Sequence, residues 1–170
     1  MLGYPGAGKT TIAREIARQT GAIHLWADHE RRAMFAKPTH SRAESNRLYS
    51  NLNDRTRYLL SHGQSVVFDT SFNHYADREH LRRLATESHA KTVLVWVNTP
   101  LEVARSRAVN TAHAERNHYE EAMSETAFNR IVSHLEPPKP QEGAVLVNDT
   151  DLDESRLSQT VASLLTQAAA

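Results

Sequence analysis

The chain has 170 residues, and its 20 Lys and Arg balance its 20 Asp and Glu to a formal net charge of zero. That length suits one domain over 1–170, and 39% hydrophobic against 24% charged residues describes a soluble globular protein rather than a disordered one. Neutrality argues against bulk electrostatic capture of nucleic acid or an anionic membrane while leaving room for a local basic cleft, and the absence of cysteine excludes disulfides, thiolate metal sites and cysteine nucleophiles; with no long apolar run and no leader pattern, the expectation is a cytoplasmic protein.

In chain order, a glycine-rich stretch, Gly3–Thr10, precedes a helical pattern over Thr10–Thr20. That pattern carries Ile12, Ala13, Ile16 and Ala17 on one face and stops at Gly21. Ala22–Ala27 is the first of four short apolar runs that predict buried parallel strands. The others are Ser65–Phe68, Thr92–Val97 and Ala144–Val147. Between them, Ala43–Ser61 and Asp77–Glu87 read as amphipathic helices. Leu101–Val109 follows Pro100, a suitable first-turn proline. Ser124 caps a helix running to Leu135, the prolines at 137, 138 and 140 break it, and Asp153–Leu165 closes the chain as a helix with Ala168–Ala170 fraying. Strand and helix alternate, which implies a three-layer α/β fold with a mostly parallel sheet. Each strand pattern is followed by a polar residue or a proline: Asp28, Asp69, Asn98 with Pro100, and Asn148 with Asp149. Ligands of open parallel sheets bind at those carboxyl ends.

Gly3-Tyr4-Pro5-Gly6-Ala7-Gly8-Lys9-Thr10 fits G-x-x-x-x-G-K-[ST] in full. The chemistry needs these residue types. Glycines let backbone N–H groups turn inward around phosphate oxygens, Lys9 places a point charge on the outer phosphates, and Thr10 offers a hydroxyl to Mg²⁺. The helix that starts there points its positive end at the anion. Mg-ATP is expected on Gly3 and on the Gly6, Ala7, Gly8, Lys9, Thr10 and Thr11 stretch. Only Met1 and Leu2 precede Gly3, where such a loop normally follows a central strand of several residues. The expectation is a first strand cut short, or remaining strands that close the gap.

No N-K-x-D guanine motif follows a strand, and Val66–Asp69 is followed by Thr70 rather than the Glu of a motor ATPase. Asp28 supports a different chemistry. The first helix runs about 16 Å and the next strand returns over a similar length, which delivers Asp28 to the phosphate side of the sheet. There a carboxylate can accept a proton from an attacking hydroxyl. Arg31, three residues on, faces the same way on a helix and can clamp a polar or anionic substrate.

Gly3–Thr10, Asp28-x-x-Arg31, Val66–Thr70 and Pro100 with Arg107 together resemble the small P-loop kinases of the AAA_33-type ATP-binding family. That group includes phage polynucleotide 5′-hydroxyl kinase, zeta-toxin and chloramphenicol phosphotransferase-like kinases. The resemblance implies an adenylate-kinase-like P-loop NTPase fold. It also implies roles: Lys9 and Thr10 for phosphate and Mg²⁺, Asp28 as general base, Arg31 on the acceptor, Asp69 near the metal, and Arg107 as a lid arginine over the nucleotide. A second lid arginine would fall at Thr111, so Arg116 is the substitute within a lid around 109–124.

The reading that results is an ATP-dependent phosphotransferase acting on a hydroxyl of a small molecule or a polynucleotide 5′ end, with no membrane partner. Its competitors are an ATP-binding module without kinase chemistry and an ATP hydrolase. Arg78, Arg82 and Arg83 read as a charged exterior face, with Arg78 meeting substrate as the alternative. The ten histidines form no metal pattern, while His29 and His74 fall near the expected mouth. Trp26 reads as core. Arg42, Arg47, Tyr49, Arg55 and Arg57 read equally as pocket lining or as a solvated helix face.

Overall fold

The computed structural model describes residues 1–110 and 122–169. The first helix, α1, spans Lys9–Thr20, begins at Gly8 and ends where the Gly21 N–H caps the Ala17 carbonyl. Strand β1 (Ile23–Trp26) leads directly into α2 (Ala27–Met34). The Ser41 hydroxyl accepts from the Glu44 amide to start α3 (Arg42–Ser61). Then follow β2 (Val66–Asp69), α4 (Tyr75–Glu87), β3 (Val95–Asn98) and α5 (Leu101–Val109), with Pro100 at the N-cap position. The Ser124 hydroxyl caps α6 (Glu125–Ser133). A short turn at Pro140–Glu142 leads to β4 (Val145–Asn148), a 3₁₀ turn at Asp149–Leu152 and the last helix, α7 (Glu154–Ala169).

The strands form two parallel pairs. Strand β1 lies beside β2, from Ile23 opposite Val66 to Trp26 opposite Asp69, and β3 lies beside β4, from Val95 opposite Val145 to Asn98 opposite Asn148. Met1 and Leu2 stand between the pairs. The Leu2 N–H donates to the Val95 carbonyl and its own carbonyl accepts from the Val97 N–H, both at 2.8 Å. On the other side the Met1 nitrogen reaches the Phe68 carbonyl at 3.4 Å. The pairs are therefore not drawn together into one ladder; a two-residue stub spans them, fully buried at Leu2.

Alternate strand residues face opposite sides, and the core divides accordingly. Val67, Val95, Val97 and Val147 pack under Ile12, Ala13 and Ile16 of α1 and Val161 and Leu164 of α7. Val66 and Phe68 face Leu48 and Leu52 of α3 across the other side, with Leu25 and Ala27. This is a three-layer α/β arrangement with short parallel strands. Truncating any one of Ile12, Leu48 or Leu52 to Ala, all fully buried, costs about 2–5 kcal/mol.

Several boundaries differ from the sequence expectation. Asp69, Asn98 and Asn148 are the last residues of their strands, not the residues after them. Thr92–Leu94 is not strand, because β4 begins only at Val145, whose N–H goes to the Leu94 carbonyl. The last helix continues through Ala168 to Ala169. Within the expected lid, Thr111 and Arg116 lie outside the described residues.

Candidate active site

The loop Gly3–Thr10 is shaped by left-handed glycines and by close neighbours. Gly6 has φ 79°, and a Cβ there would stand 2.2 Å from the Ala104 carbonyl oxygen of α5. Gly8 has φ 96°, and a Cβ would meet the Leu152 side chain at 2.5 Å. At Gly6 the collision is with backbone, so only glycine lets α5 approach the loop this closely; at Gly8 the Leu152 side chain could shift, and it is the left-handed φ that calls for glycine. The Ala7 amide donates to the Tyr4 carbonyl inside the loop, and its own carbonyl accepts from the buried Thr99 hydroxyl at 2.9 Å. Thr10 is half-buried in the first turn of α1, and Thr11 is exposed beside it.

Lys9 folds its ammonium onto the loop, donating to the Gly3 carbonyl at 3.0 Å and the Tyr4 carbonyl at 2.7 Å. Burial pushes its pKa down from 10.5 to about 8, although the charges of Asp69 and Asp28 pull the other way. Both carboxylates thus act on the Lys9 ammonium. Asp69, at the end of β2, is 2% exposed. Its Oδ2 lies 3.0 Å from Nε2 of His24 on the neighbouring strand. Asp28 is half-buried in the first turn of α2, directly after β1. The fold therefore gathers Lys9, Asp28 and Asp69 at the carboxyl end of the sheet.

Arg107 lies on α5, the helix whose Ala104 carbonyl faces Gly6. Its guanidinium donates to both oxygens of Asp149, at 2.5 and 3.4 Å. Asp149 also lies 3.4 Å from the Thr99 hydroxyl that holds Ala7. A polar chain thus runs from Arg107 through Asp149 and Thr99 to the phosphate loop.

Arg31 is placed differently from its sequence expectation. It is buried, and its guanidinium donates to Glu44 Oε1 at 2.5 Å, with the Ser45 hydroxyl at 3.4 Å. Burial raises the Glu44 pKa, but the Thr39 and His40 amides, Arg31 and the Thr39 hydroxyl overcome this and bring it to about 2. Next to this pair the Tyr49 hydroxyl meets Thr70 Oγ1 at 2.9 Å. Burial raises the Tyr49 pKa; Arg31 opposes this, while Asp28 and Asp77 add to it. Tyr49 of α3 and Thr70, directly after β2, are thus joined side chain to side chain, with the charges of Arg31, Asp28 and Asp77 acting on the Tyr49 hydroxyl.

Arg78 is neither exterior nor facing substrate. It is buried against Glu142 in a two-pronged ion pair at 2.6 and 2.9 Å that ties α4 to the Pro140–Glu142 turn. Its Nη1 donates to the Phe72 carbonyl at 2.9 Å and to the Asn73 carbonyl at 3.4 Å. His74 pairs with Glu136, and His29 stacks on Trp26. Trp26 is buried as expected, with the Arg14 guanidinium 4.9 Å from its ring centre. Arg55 pairs with Glu30, Arg57 pairs with Asp54, and Arg47 lies over Phe35.

His24, Glu44 and Thr99 are not marked as site residues in the sequence, and Asp149 is marked only by its place after a strand. For Glu44 a signal existed, since Ser41-x-x-Glu44 has capping-box spacing. Thr99 and Asp149 follow strand ends, where ligand-facing residues concentrate. Nothing local marks His24.

Among the described residues no group of three or more His, Cys, Asp or Glu is placed to hold a metal ion, and no helix is long and apolar enough to cross a membrane. An uncharacterized protein of Mycobacterium tuberculosis, Rv2004c, is 30% identical over 122 residues, covering 65% of this chain and 24% of its own length. The chain thus spans about a quarter of the curated relatives it matches. Chaetomium thermophilum Kti12, solved with ADP-AlF3, superposes with a TM-score of 0.73 at 20% identity, covering 99% of this chain and 97% of Kti12. The Mycobacterium tuberculosis APS kinase CysC, solved with AMPPNP and APS, superposes at 0.69 with 16% identity, covering 99% and 95%. Likeness at that identity establishes a shared fold. The family model for the AAA domain of type AAA_33 matches residues 1–138, and with the complete phosphate loop at its head the chain belongs to that family.

Proposed function

We propose that the chain is an ATP-dependent phosphotransferase that moves the γ-phosphate of ATP to a hydroxyl acceptor. The observation that supports this reading best is that β1 and β2 end side by side, Trp26 opposite Asp69, so that Asp28 in the first turn of α2 and Asp69 reach the same sheet end, where both charges act on Lys9. Nucleotide binding alone needs the glycines, the lysine and a metal-side acid. It has no use for a second, half-exposed carboxylate offered from the adjoining strand end. A carboxylate there accepts the acceptor proton as the acceptor oxygen bonds to phosphorus and the bond to the ADP oxygen breaks.

In this reading the N–H groups of the Gly3–Thr11 stretch hold the phosphates, with Gly6, Ala7, Gly8, Lys9, Thr10 and Thr11 nearest. Lys9 and Arg107 meet the charge on the moving phosphoryl group. Arg107 sits on the helix that covers Gly6, within reach of that role once it exchanges Asp149 for phosphate. Magnesium fits the donor set here as a phosphate-borne ion. Thr10 would supply one hydroxyl and Asp69 one buried carboxylate, a small oxygen donor set that leaves the remaining positions of the ion to phosphates and water. When bound, magnesium neutralises the phosphate oxygens. The Asp28 and Tyr49 side of the site takes the acceptor, and Arg31 helps shape that wall through its bond to Glu44.

The test is transfer of label from γ-labelled ATP to a panel of alcohols, with wild type and Asp28→Asn compared. Asp28→Asn should keep nucleotide affinity and lose about 10²- to 10⁴-fold in transfer. Full turnover in that variant rejects Asp28 as the base. Label released only as free phosphate supports a hydrolase instead.

A further inference from the structure

We infer that the acceptor of this chain carries no anionic group beside its reacting hydroxyl, and that Glu44 sets this preference by occupying Arg31. The inference rests on the phosphotransferase reading and names its substrate class.

Arg31 is the cation best placed to grip an acidic acceptor, yet its charge is already met. Glu44 Oε1 takes the Arg31 guanidinium at 2.5 Å and the His40 N–H at 3.2 Å. Glu44 Oε2 takes the Thr39 N–H at 2.7 Å and the Thr39 hydroxyl at 2.9 Å. Both side chains of the pair are nearly enclosed, at 7% and 6% exposure. The turn that wraps Glu44 holds His40 at φ 54°, a conformation uncommon outside glycine, and in it the His40 amide reaches the carboxylate. With four donors on it, Glu44 is not free to swing aside. An incoming phosphate or carboxylate at Arg31 would either strip a buried carboxylate of its partner or sit against it as a like charge. Both are costly in an enclosed setting.

Arg78, the other buried arginine among the described residues, offers no free cation either: Glu142 holds it between α4 and the Pro140–Glu142 turn, outside the acceptor side. Around the Tyr49 hydroxyl the acting charges are Asp28 and Asp77 against Arg31, and Glu44 offsets Arg31. The Tyr49 and Thr70 hydroxyls offer paired donor and acceptor groups, which suit the hydroxyls of an uncharged or amine-bearing alcohol. A polynucleotide 5′ end, with a phosphate next to its terminal sugar, is disfavoured by the same balance.

The experiment uses matched acceptors that share the reacting hydroxyl and differ in charge: glucitol against gluconate, and a nucleoside against its 3′-monophosphate. Label transfer from γ-labelled ATP with Mg²⁺ is compared as kcat/KM. The wild type should favour the uncharged member wherever a pair is used, by about tenfold or more. Glu44→Gln, which keeps the shape and frees the Arg31 charge, should narrow that ratio toward the anionic member. Thermal unfolding of Glu44→Gln checks that it is folded, and the wild-type comparison stands without it. A wild-type preference for the anionic member overturns the inference and leaves the kinase reading intact. A ratio unmoved in folded Glu44→Gln overturns the role of Glu44. Transfer to no acceptor at all overturns the phosphotransferase reading and this inference with it.

Discussion

Replacing Arg78 with Met should expose how much of the fold depends on one buried ion pair. The guanidinium and its partner Glu142 are 2% and 0% exposed. Arg78 spends its donors on both Glu142 oxygens and on the Phe72 carbonyl. Methionine fills most of the volume but leaves the carboxylate with only the Lys139 amide, at 2.8 Å. Breaking one side of such a pair costs about 3–5 kcal/mol. For a chain of 170 residues this corresponds to a melting temperature lower by about 10 °C. The double variant Arg78→Met with Glu142→Gln removes the stranded charge while an amide oxygen still serves Lys139, so it should recover most of the loss. The pH dependence has a definite sign. Arg78 holds the Glu142 pKa below its usual 4.5 despite burial. The wild-type contribution is therefore complete above pH 4.5 and fades as pH falls through the lowered value. In Arg78→Met the same carboxyl is buried without its cation and prefers its proton, so its penalty fades as pH falls from its raised value toward 4.5 and is gone below that. The stability gap between the two proteins should close in acid. Urea unfolding at pH 7 and pH 4 measures this. An Arg78→Met protein within about 1 kcal/mol of wild type at pH 7, or a gap that widens in acid, refutes the reasoning.

Nucleotide binding should take up a proton near pH 8.5. The Lys9 pKa of about 8 rises when phosphates replace the Gly3 and Tyr4 carbonyls as its partners. Titration calorimetry in buffers of different ionisation heat gives the proton count, and a count of zero rejects the assignment. In the nucleotide-free protein the lowered Lys9 value means the unfolded chain holds more protons between pH 8 and 10.5, so the Lys9 contribution to stability rises across that window. Gly6→Ala should cost about 1–2 kcal/mol from its left-handed backbone and more from the collision with Ala104. Nucleotide affinity should fall with it, read by equilibrium binding; unchanged affinity and melting temperature would contradict the packing of α5 on the loop. Thr99→Val should weaken nucleotide binding more than it weakens the fold, because it frees the Ala7 carbonyl without opening a cavity. An equal loss in both would assign Thr99 to the core alone.

The phosphate loop, its helix and the helix caps were legible because their physics is local. Gly21 ends α1 by its own left-handed φ of 70°, and Ser41 and Ser124 accept from amides three residues on. Apolar runs located all four strands, but the ladder decides where a strand ends, and backbone pairing is indifferent to whether a side chain is polar. Hence Asp69 and Asn98 fall inside strands. The ion pairs could not be read. Arg78 and Glu142 are 64 residues apart, Arg107 and Asp149 are 42 apart, and His24 and Asp69 are 45 apart. Each depends on which elements become neighbours. Arg31 shows the effect most sharply. Its spacing from Asp28 was legible, while its engagement by Glu44 depends on how the Thr39–Ser41 turn brings α3 back.

The phosphate loop lies at the start of the chain, but much of what shapes it comes from much later. Thr99 holds Ala7 across 92 residues, α5 closes over Gly6, and Leu152 seats against Gly8. The loop's conformation therefore rests on contacts of long sequence separation with the end of β3, with α5 and with the turn following β4, the kind whose loop-closure entropy must be met before they reward the chain. Nucleotide affinity is then a property of the finished fold rather than of its first segment. ATP would slow unfolding by mass action on the native state while leaving the rate of folding almost unchanged.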